Sequence, residues 1–514
     1  MHITFVHSHY ESLGIEYISA VLKKAGHQTD LIFEPSLFHN FFSDHSLLYK
    51  FFNFKSYVIG EVVRRKPDIV AFSVIADNYK WTLEMARAIR ERSSAVIVFG
   101  GIHTSSVPEN VLKDDLADFV VIGEGEYAFL ELVNCLRDGT DPAQIPNVGL
   151  CKERRVFLNQ PRAPIPDLDQ LPFPDKDLFF EAYPGMVSAS YMITGSRGCN
   201  NKCSYCCNST LHNLYRGRGF FRRRTPENVI AELEWAKQRF KIRKVTFYDE
   251  VFTSDKQWLR RFLPLYIQKI NLPYFCCSHP EDIDTEVAEL LESSGCSAIN
   301  VGMQTAHEPT LKTVLHRKGS NSKTAEAFSL LRDTRIFVYS NFILGLPGET
   351  EEHVLESLRF CVDHPVDMAV VYWLRYYPGT DIISIAAEKG ILAQGDVDKI
   401  NASQEYTPYT VAGNTYNKNI SKLGNCILLS GVIPAKAMRY ILQTGLYRWL
   451  PSRNLLFPLI ILSCFLKRII KGKRNAFHYL SVGDYFFYYV FFLRKKLSLG
   501  LFSAKQRLSV PGRA

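Results

Sequence analysis

Eight prolines, at 142, 146, 161, 164, 166, 172, 174 and 184, crowd one stretch of this 514-residue chain. Proline removes a backbone donor and fixes φ, so no long helix can run through that stretch. On either side, short apolar runs alternate with segments of helical periodicity. Before the prolines the strand-like runs are His2–Val6, Asp68–Val74, Ala95–Phe99 and Phe119–Ile122, with helices at Leu13–Ala25 and Trp81–Arg92; Gly26 takes the C-cap position. After them, strands are expected at Ala189–Thr194, Lys244–Tyr248, Tyr274–Ser278, Ala298–Gly302, Val338–Leu344 and Met368–Leu374, with helices between. Alternation of this kind gives parallel strands with crossover helices, so the chain is α/β. The organisation expected is a doubly wound domain over 1–140, a Pro-rich crossing linker with short strands over 141–185, a partial (β/α)6 barrel over 186–392, and a mostly helical, basic and aromatic region over 393–514. Both α/β architectures bind ligands at the carboxyl ends of their strands.

Apolar residues make up 46% and charged residues 22%, as in ordinary folded proteins. The net charge of +9 is local: from Pro434 onward 15 Lys or Arg face one acid, Asp484, leaving −5 for the rest. The first residues read as a strand and not as a secretion signal. Most of the twelve cysteines, among them Cys135, Cys151, Cys296, Cys361, Cys426 and Cys464, are spread singly, which suits buried thiols in a reducing, cytoplasmic compartment.

One group is different. Cys199, Cys203 and Cys206 form a CxxxCxxC on the Gly-rich loop that follows the first barrel strand, Thr194-Gly-Ser-Arg-Gly-Cys199. Three thiolates on a tight loop can hold three irons of a cubane and leave the fourth open for a chelating ligand. A structural zinc site asks for a fourth Cys or His, usually in two pairs, and Cys207 is badly placed beside Cys206.

This loop, with Tyr205 before the third cysteine, resembles the radical S-adenosylmethionine (radical SAM) superfamily across about Val187–Ile391. The resemblance implies a [4Fe-4S] cluster on Cys199, Cys203 and Cys206. Its open iron chelates S-adenosylmethionine, which is cleaved reductively to a 5′-deoxyadenosyl radical with an electron from an external donor. It also implies S-adenosylmethionine contacts at Tyr205, at Glu250 in Tyr248-Asp249-Glu250, at Gln304, and at Gly345 and Pro347 in Gly345-Leu-Pro347-Gly-Glu, with Tyr377-Pro-Gly-Thr380 as a closing segment. Two departures stand out: no Gly-Gly precedes Glu250, and many relatives carry Glu where Gln304 stands. Taken singly, Glu250 and Gln304 are also what any strand end carries, and Gly345 suits any turn.

The first domain is similar to the cobalamin-binding domain that precedes many radical SAM domains, as in the class B radical SAM methyltransferases. The likeness rests on Gly14, Ser73, Gly100, Gly101, His103, Gly123 and Glu124. Small residues at strand ends let backbone approach a corrin, although glycines there can equally serve tight turns. The DxHxxG motif that supplies an axial histidine elsewhere is absent. Cobalamin without a protein histidine ligand is therefore expected, with His9 or His103 as neighbours.

Both cofactors together imply methylation of an unactivated carbon of a small-molecule or lipid-like substrate. Radical ring formation or oxidation, and RNA modification through Arg216, Arg218, Arg222, Arg223 and Arg224, are the alternatives. No attached RNA-binding module is recognisable, which places nucleic acid behind small molecules. In the tail, Leu455–Leu466 is too short to span a bilayer, which takes about 20 residues. With Tyr485–Leu493 and flanking basic clusters it suits an anionic headgroup layer, so peripheral contact through 434–514 at the cytoplasmic face is one expectation. A helix packing its aromatic face on the barrel is the other.

Overall fold

The computed structural model describes residues 1–40, 43–44, 46–186, 190–216, 219–403, 418–450 and 482–508. Leu455–Leu466, Cys464 and Arg218 lie outside the described residues. The chain forms two compact units, one of residues 1–161, 171–189 and 479–514, the other of 162–170 and 190–478.

The first unit is built on a seven-stranded sheet. Its strands are β1 (His2–Ser8), β2 (Gln28–Glu34), β3 (Ile69–Ser73), β4 (Val96–Gly100), β5 (Phe119–Val121), β6 (Val148–Lys152) and β7 (Arg155–Leu158), in spatial order β2-β1-β3-β4-β5-β6-β7. β1 to β5 are parallel, and β1 pairs with both β2 and β3, which puts the reversal of strand order between β1 and β3. The expected doubly wound domain is therefore present. β2 escaped the sequence reading because its first half is polar, and only Leu31–Glu34 is buried.

Two expected boundaries are corrected. The short strands expected within the linker 141–185 are present, but they belong to the first domain: β6 and β7 form an antiparallel hairpin on the edge of its sheet, and Pro146 and Pro161 flank the hairpin without entering it. Further along, Lys176 is fully buried and ion-paired to Glu11 (2.6 Å) and Glu16 (2.8 Å), which binds this segment to the domain. The region 393–514 is likewise not one piece. Helices Gln394–Asn401, Lys418–Ser430 and Ala435–Gln443 belong to the second unit, but Val482–Leu508 packs on the first. There Phe492, 1% exposed, sits against Phe33, Phe54 and Tyr183, and the Tyr488 hydroxyl donates to the Pro35 carbonyl at 2.9 Å. The aromatic run thus covers the α/β domain and not the barrel.

The second unit is a six-stranded parallel sheet in sequential order, β8 (Tyr191–Ile193), β9 (Val245–Phe247), β10 (Tyr274–Ser278), β11 (Cys296–Gln304), β12 (Phe337–Leu344) and β13 (Met368–Trp373). This is the expected partial barrel. Register partners Cys277, Asn300, Tyr339 and Met368 share one face and are partly accessible, whereas the alternate residues Cys276, Ile299 and Val338 are buried. At the lower end of the accessible face Phe275, Ala298 and Phe337 meet Leu428 of the Lys418–Ser430 helix, which closes the lumen. Among the described residues no helix is long and apolar enough to cross a membrane.

Candidate functional site

The loop carrying Cys199, Cys203 and Cys206 leaves β8 and is held from several sides. Asp249, 2% exposed at the end of β9, accepts from the Gly195 amide (2.9 Å) and the Ser196 hydroxyl (2.5 Å). Ser196–Arg197 then pairs with Arg222–Arg223 as a short antiparallel ribbon. Gly198 has φ +84° and a Cβ there would stand 2.5 Å from the Phe220 carbonyl, so only glycine lets the ribbon close. Ser204 donates through its amide to Leu315 (3.0 Å) and through its hydroxyl to Val314 (2.6 Å), and its own carbonyl accepts from Ile382 (2.9 Å). Thr210 donates to the Gly379 carbonyl at 2.8 Å, tying in the Tyr377–Thr380 segment.

Each of the three sulfurs accepts a hydrogen bond from a different donor: Asn201 N to Cys199 Sγ (3.4 Å), Arg317 Nη1 to Cys203 Sγ (3.7 Å), and Asn208 Nδ2 to Cys206 Sγ (3.6 Å). Burial pushes the Cys199 thiol up to about 11 and raises that of Cys203, whereas a hydrogen bond from Cys207 lowers that of Cys206. Cys207 opens the helix Cys207–Leu214. Among the described residues no three His, Cys, Asp or Glu side chains converge as a single ion requires. A cubane takes one thiolate per iron and asks for no such convergence.

The other expected residues of the barrel gather at the same end. Tyr205 packs with the apolar cluster around Leu315, Leu346 and Tyr376. Glu250 is open to solvent yet crowded by protein, and burial raises its carboxyl while Asn208 hydrogen-bonds it. Gln304, at φ +73°, follows a register shift in β11. Its Nε2 would lie 2.7 Å from a Cβ on Gly302, and the Gly302 carbonyl accepts from Arg317 Nη2 at 2.7 Å. Arg317 therefore links the cysteine loop to the strand that carries Gln304. Gly345, φ +77°, donates its amide to Glu349 at 2.6 Å; burial pushes the Glu349 carboxyl up to about 8. Pro347 is buried beside Leu346. Below them, the accessible face carries Cys277, Asn300, Tyr339, Asn341, Val370 and Tyr372, none charged at neutral pH. Burial raises the Cys277 thiol to about 12 and, with Cys277 nearby, also raises the Tyr248 and Tyr372 phenols.

In the first unit, Ser73, Gly100 and Gly101 meet at the carboxyl ends of β3 and β4, with Gly123 and Glu124 just beyond β5. Gly101 has φ +96°, and a Cβ would lie 2.6 Å from the Val74 carbonyl; its need for glycine is this backbone crossing. Gly123 donates to Ser105 Oγ (2.8 Å), which itself donates to the Gly101 carbonyl (2.9 Å). His103 is 2% exposed, lies tilted against Tyr79 at 4.3 Å, and among the described residues has no hydrogen-bond partner at either ring nitrogen. Gly14 is exposed in the first turn of the Leu13–Lys24 helix. His9, at φ +81°, donates to Ser36 Oγ (2.5 Å), which donates to the buried Glu34 (2.7 Å).

Residues 193–361 match the family model described as the radical SAM superfamily, and residues 3–133 match that of the B12 binding domain. Together they span more than half the chain. The chain is a radical SAM enzyme with a B12-binding domain. It is 26% identical over 342 residues to an uncharacterized methyltransferase of Pyrococcus horikoshii, covering 65% of this chain and 72% of that one. It is 27% identical over 403 residues to the anaerobic magnesium-protoporphyrin IX monomethyl ester cyclase of Rubrivivax gelatinosus, covering 74% and 68%. It shares its fold with the radical S-adenosylmethionine methyltransferase TsrM of Kitasatospora setae, at TM-score 0.61, 18% identity and 75% coverage of each chain.

The family cofactors are therefore a [4Fe-4S] cluster, S-adenosylmethionine and cobalamin. The residues present fit them. The three sulfurs each face an N–H donor, as electron-rich cluster ligands require. The unpartnered His103 nitrogens and the glycine-lined strand ends suit a large ligand held by shape and backbone. Sequence reasoning missed Asp249's brace, Arg317, Asn208, Gly302 and Ser105. Of these, Arg317 gave a faint signal, as an Arg just beyond a helix after the Gln304 strand; the others are visible only as contacts.

Proposed function

We propose that this radical SAM enzyme methylates an unactivated carbon of an uncharged small molecule. The observation that carries this reading is the B12-binding domain in the same chain as the three-cysteine radical SAM loop. When bound, the cluster with S-adenosylmethionine supplies an adenosyl radical, and cobalamin supplies the methyl group. Cys199, Cys203 and Cys206 would hold the cluster. Tyr205, Glu250, Gln304, Gly345 and Pro347 would orient S-adenosylmethionine above it, with Glu250 and Gln304 offering its amine and hydroxyls hydrogen bonds. Gly14, Ser73, Gly100, Gly101, His103, Gly123 and Glu124 would cradle cobalamin. The neutral lumen below the loop, with Asn300, Asn341 and Tyr372, favours a substrate body that is apolar and hydrogen-bonding, not a phosphate.

The RNA alternative loses its footing on three of the five arginines. Arg222 donates to the Ile165 carbonyl (2.9 Å), Arg223 lies 4.6 Å over the Trp258 ring and donates to Ser254 (2.9 Å), and Arg224 pairs with the buried Glu232 (2.6 Å). These charges are spent inside the fold. Ring formation or oxidation stays the second reading, favoured by the cyclase relative.

The membrane expectation narrows to one face. Tyr488 and Phe492 are covered, but Phe486 and Phe487 on the same helix are 62% and 65% exposed, with the exposed Arg494 about two turns further on. Contact with an anionic cytoplasmic leaflet through this face would bring an apolar substrate within reach. Co-sedimentation with anionic liposomes, with and without Phe486→Ser and Phe487→Ser, tests it; equal pelleting would remove the membrane part.

The reaction itself is tested by anaerobic turnover of the reconstituted holoenzyme with methyl-labelled S-adenosylmethionine and mass analysis of extracts. Label in a carbon-methylated product is expected. Release of 5′-deoxyadenosine with no methylated product would replace methyl transfer by the ring-forming or oxidative reading.

A further inference from the structure

We propose that the basic, aromatic hollow on the back of the cysteine loop is the docking site for an acidic, low-potential electron-carrier protein. The inference rests on the reading that Cys199, Cys203 and Cys206 hold a cluster that must be reduced. The hollow, about 370 Å³, is lined by residues that include Asn200, Lys202, His212, Tyr215, Arg216 and Phe220. Asn200 and Lys202 belong to the loop itself, between the first two cluster cysteines. His212 donates from Nε2 to the Cys199 carbonyl at 2.6 Å, and its ring lies 4.7 Å from that of Phe220, which stacks on Tyr215 at 5.9 Å. A partner seated here would be separated from the first cluster ligand by little more than one imidazole and one peptide group.

The charge of the hollow points the same way. Lys202 and Arg216 are exposed, and among the described residues that line it there is no Asp or Glu, although Asn213 on its wall donates to Asp381 at 3.4 Å. Lys202 makes no ion pair among the described residues, and Arg216 meets only the Asn213 side-chain oxygen, at 3.5 Å. The neighbouring arginines at 222, 223 and 224 are occupied inside the fold. A cationic patch with an aromatic floor steers and orients an acidic protein. The transfer is a one-electron step: the partner's reduced flavin or iron–sulfur centre loses one electron, the cluster gains it, and no bond or proton changes place at the docking surface.

The test uses the full-length holoenzyme and its Arg216→Glu and Arg216→Lys variants. Release of 5′-deoxyadenosine is driven either by dithionite or by limiting flavodoxin kept reduced by NADPH and flavodoxin reductase. The charge-reversed variant should keep its dithionite rate and lose about tenfold or more in flavodoxin-driven kcat/KM, chiefly through KM, while the conservative variant keeps both. Binding isotherms with oxidised flavodoxin should weaken in parallel. Equal loss with both reductants, or no loss with either, would overturn the docking site, as would unchanged binding. If wild-type protein releases no 5′-deoxyadenosine even with dithionite, the radical reading itself falls, and the isotherms still decide whether the surface binds the carrier.

Discussion

The two carboxyl-edge sites of this enzyme are built by opposite means. At the barrel mouth, ionisable side chains do the positioning: Asp249 braces the loop backbone, Arg317 reaches both Cys203 and Gly302, and Glu349 caps the Gly345 turn. At the edge of the first sheet the positioning is by backbone and neutral groups: Gly101 crosses Val74 at contact distance, Ser105 bridges Gly123 to Gly101, and His103 is buried without a partner. On the proposed function, the difference follows from what each site would hold. A cluster and a sulfonium cofactor are recognised through charge and directed hydrogen bonds. A corrin is large and is gripped by surface.

That contrast can be broken most sharply at the cysteines. Cys203→Ala should abolish 5′-deoxyadenosine release, because two thiolates do not retain a cubane with one open iron; activity near the wild-type level would show that the loop is not the cluster site. Gly101→Val should act on the other unit. Its side chain must displace the Val74 backbone at a positive φ, so a loss of several kcal/mol is expected, on the order of 3 or more. Hydrogen exchange should rise over residues 1–161 while iron content holds; a uniform rise would merge the two sites into one cooperative structure.

Arg317→Met should come next. Removing the donor to Cys203 Sγ and the Gly302 carbonyl should lower S-adenosylmethionine cleavage about 10- to 100-fold. The reduction potential of the cluster should move with it, a readout that mere loss of packing would leave in place.

The smallest effects concern pH, and they have opposite signs in the two units. Burial holds His103 down to about 4 and, with the His9 charge, His7 to about 3, against an ordinary 6.5. Their contribution is full above pH 6.5 and is lost as pH falls toward 4, by about 1.4 kcal/mol per pKa unit. Burial raises Glu349 from 4.5 to about 8, so its contribution is present below pH 4.5 and is lost as pH rises through 8. Hydrogen exchange at pH 5 and pH 8, corrected for intrinsic rates, should loosen the first unit at the lower value and the Gly345–Glu349 turn at the higher; Glu349→Gln should cancel the latter.

Much of this was legible in the sequence because periodicity and turn chemistry are local. Tyr274–Ser278 lies where the pattern puts it, and the cysteine spacing marks its loop directly. What escaped depends on contacts distant in sequence. β2 is half polar and is a strand because β1 pairs with it throughout. The prolines at 146 and 161 look like linker signals, yet they bound a hairpin that Phe119–Val121 recruits as sheet edge. Tyr488 and Phe492 look like membrane aromatics until Phe33, Phe54 and Tyr183, some 300 to 460 residues away in sequence, supply the surface they cover. Arg317 is one basic residue among many, and only the fold brings it to Cys203.

The most direct measurement is cofactor content of the anaerobically reconstituted full-length enzyme and its Cys199→Ala/Cys203→Ala/Cys206→Ala variant, by iron, sulfide and cobalamin assay with absorption and EPR spectra. The account predicts one [4Fe-4S] cluster and one cobalamin in the wild type, and cobalamin alone in the variant. A variant that keeps its cluster, or a wild-type protein that binds no cobalamin, would contradict it.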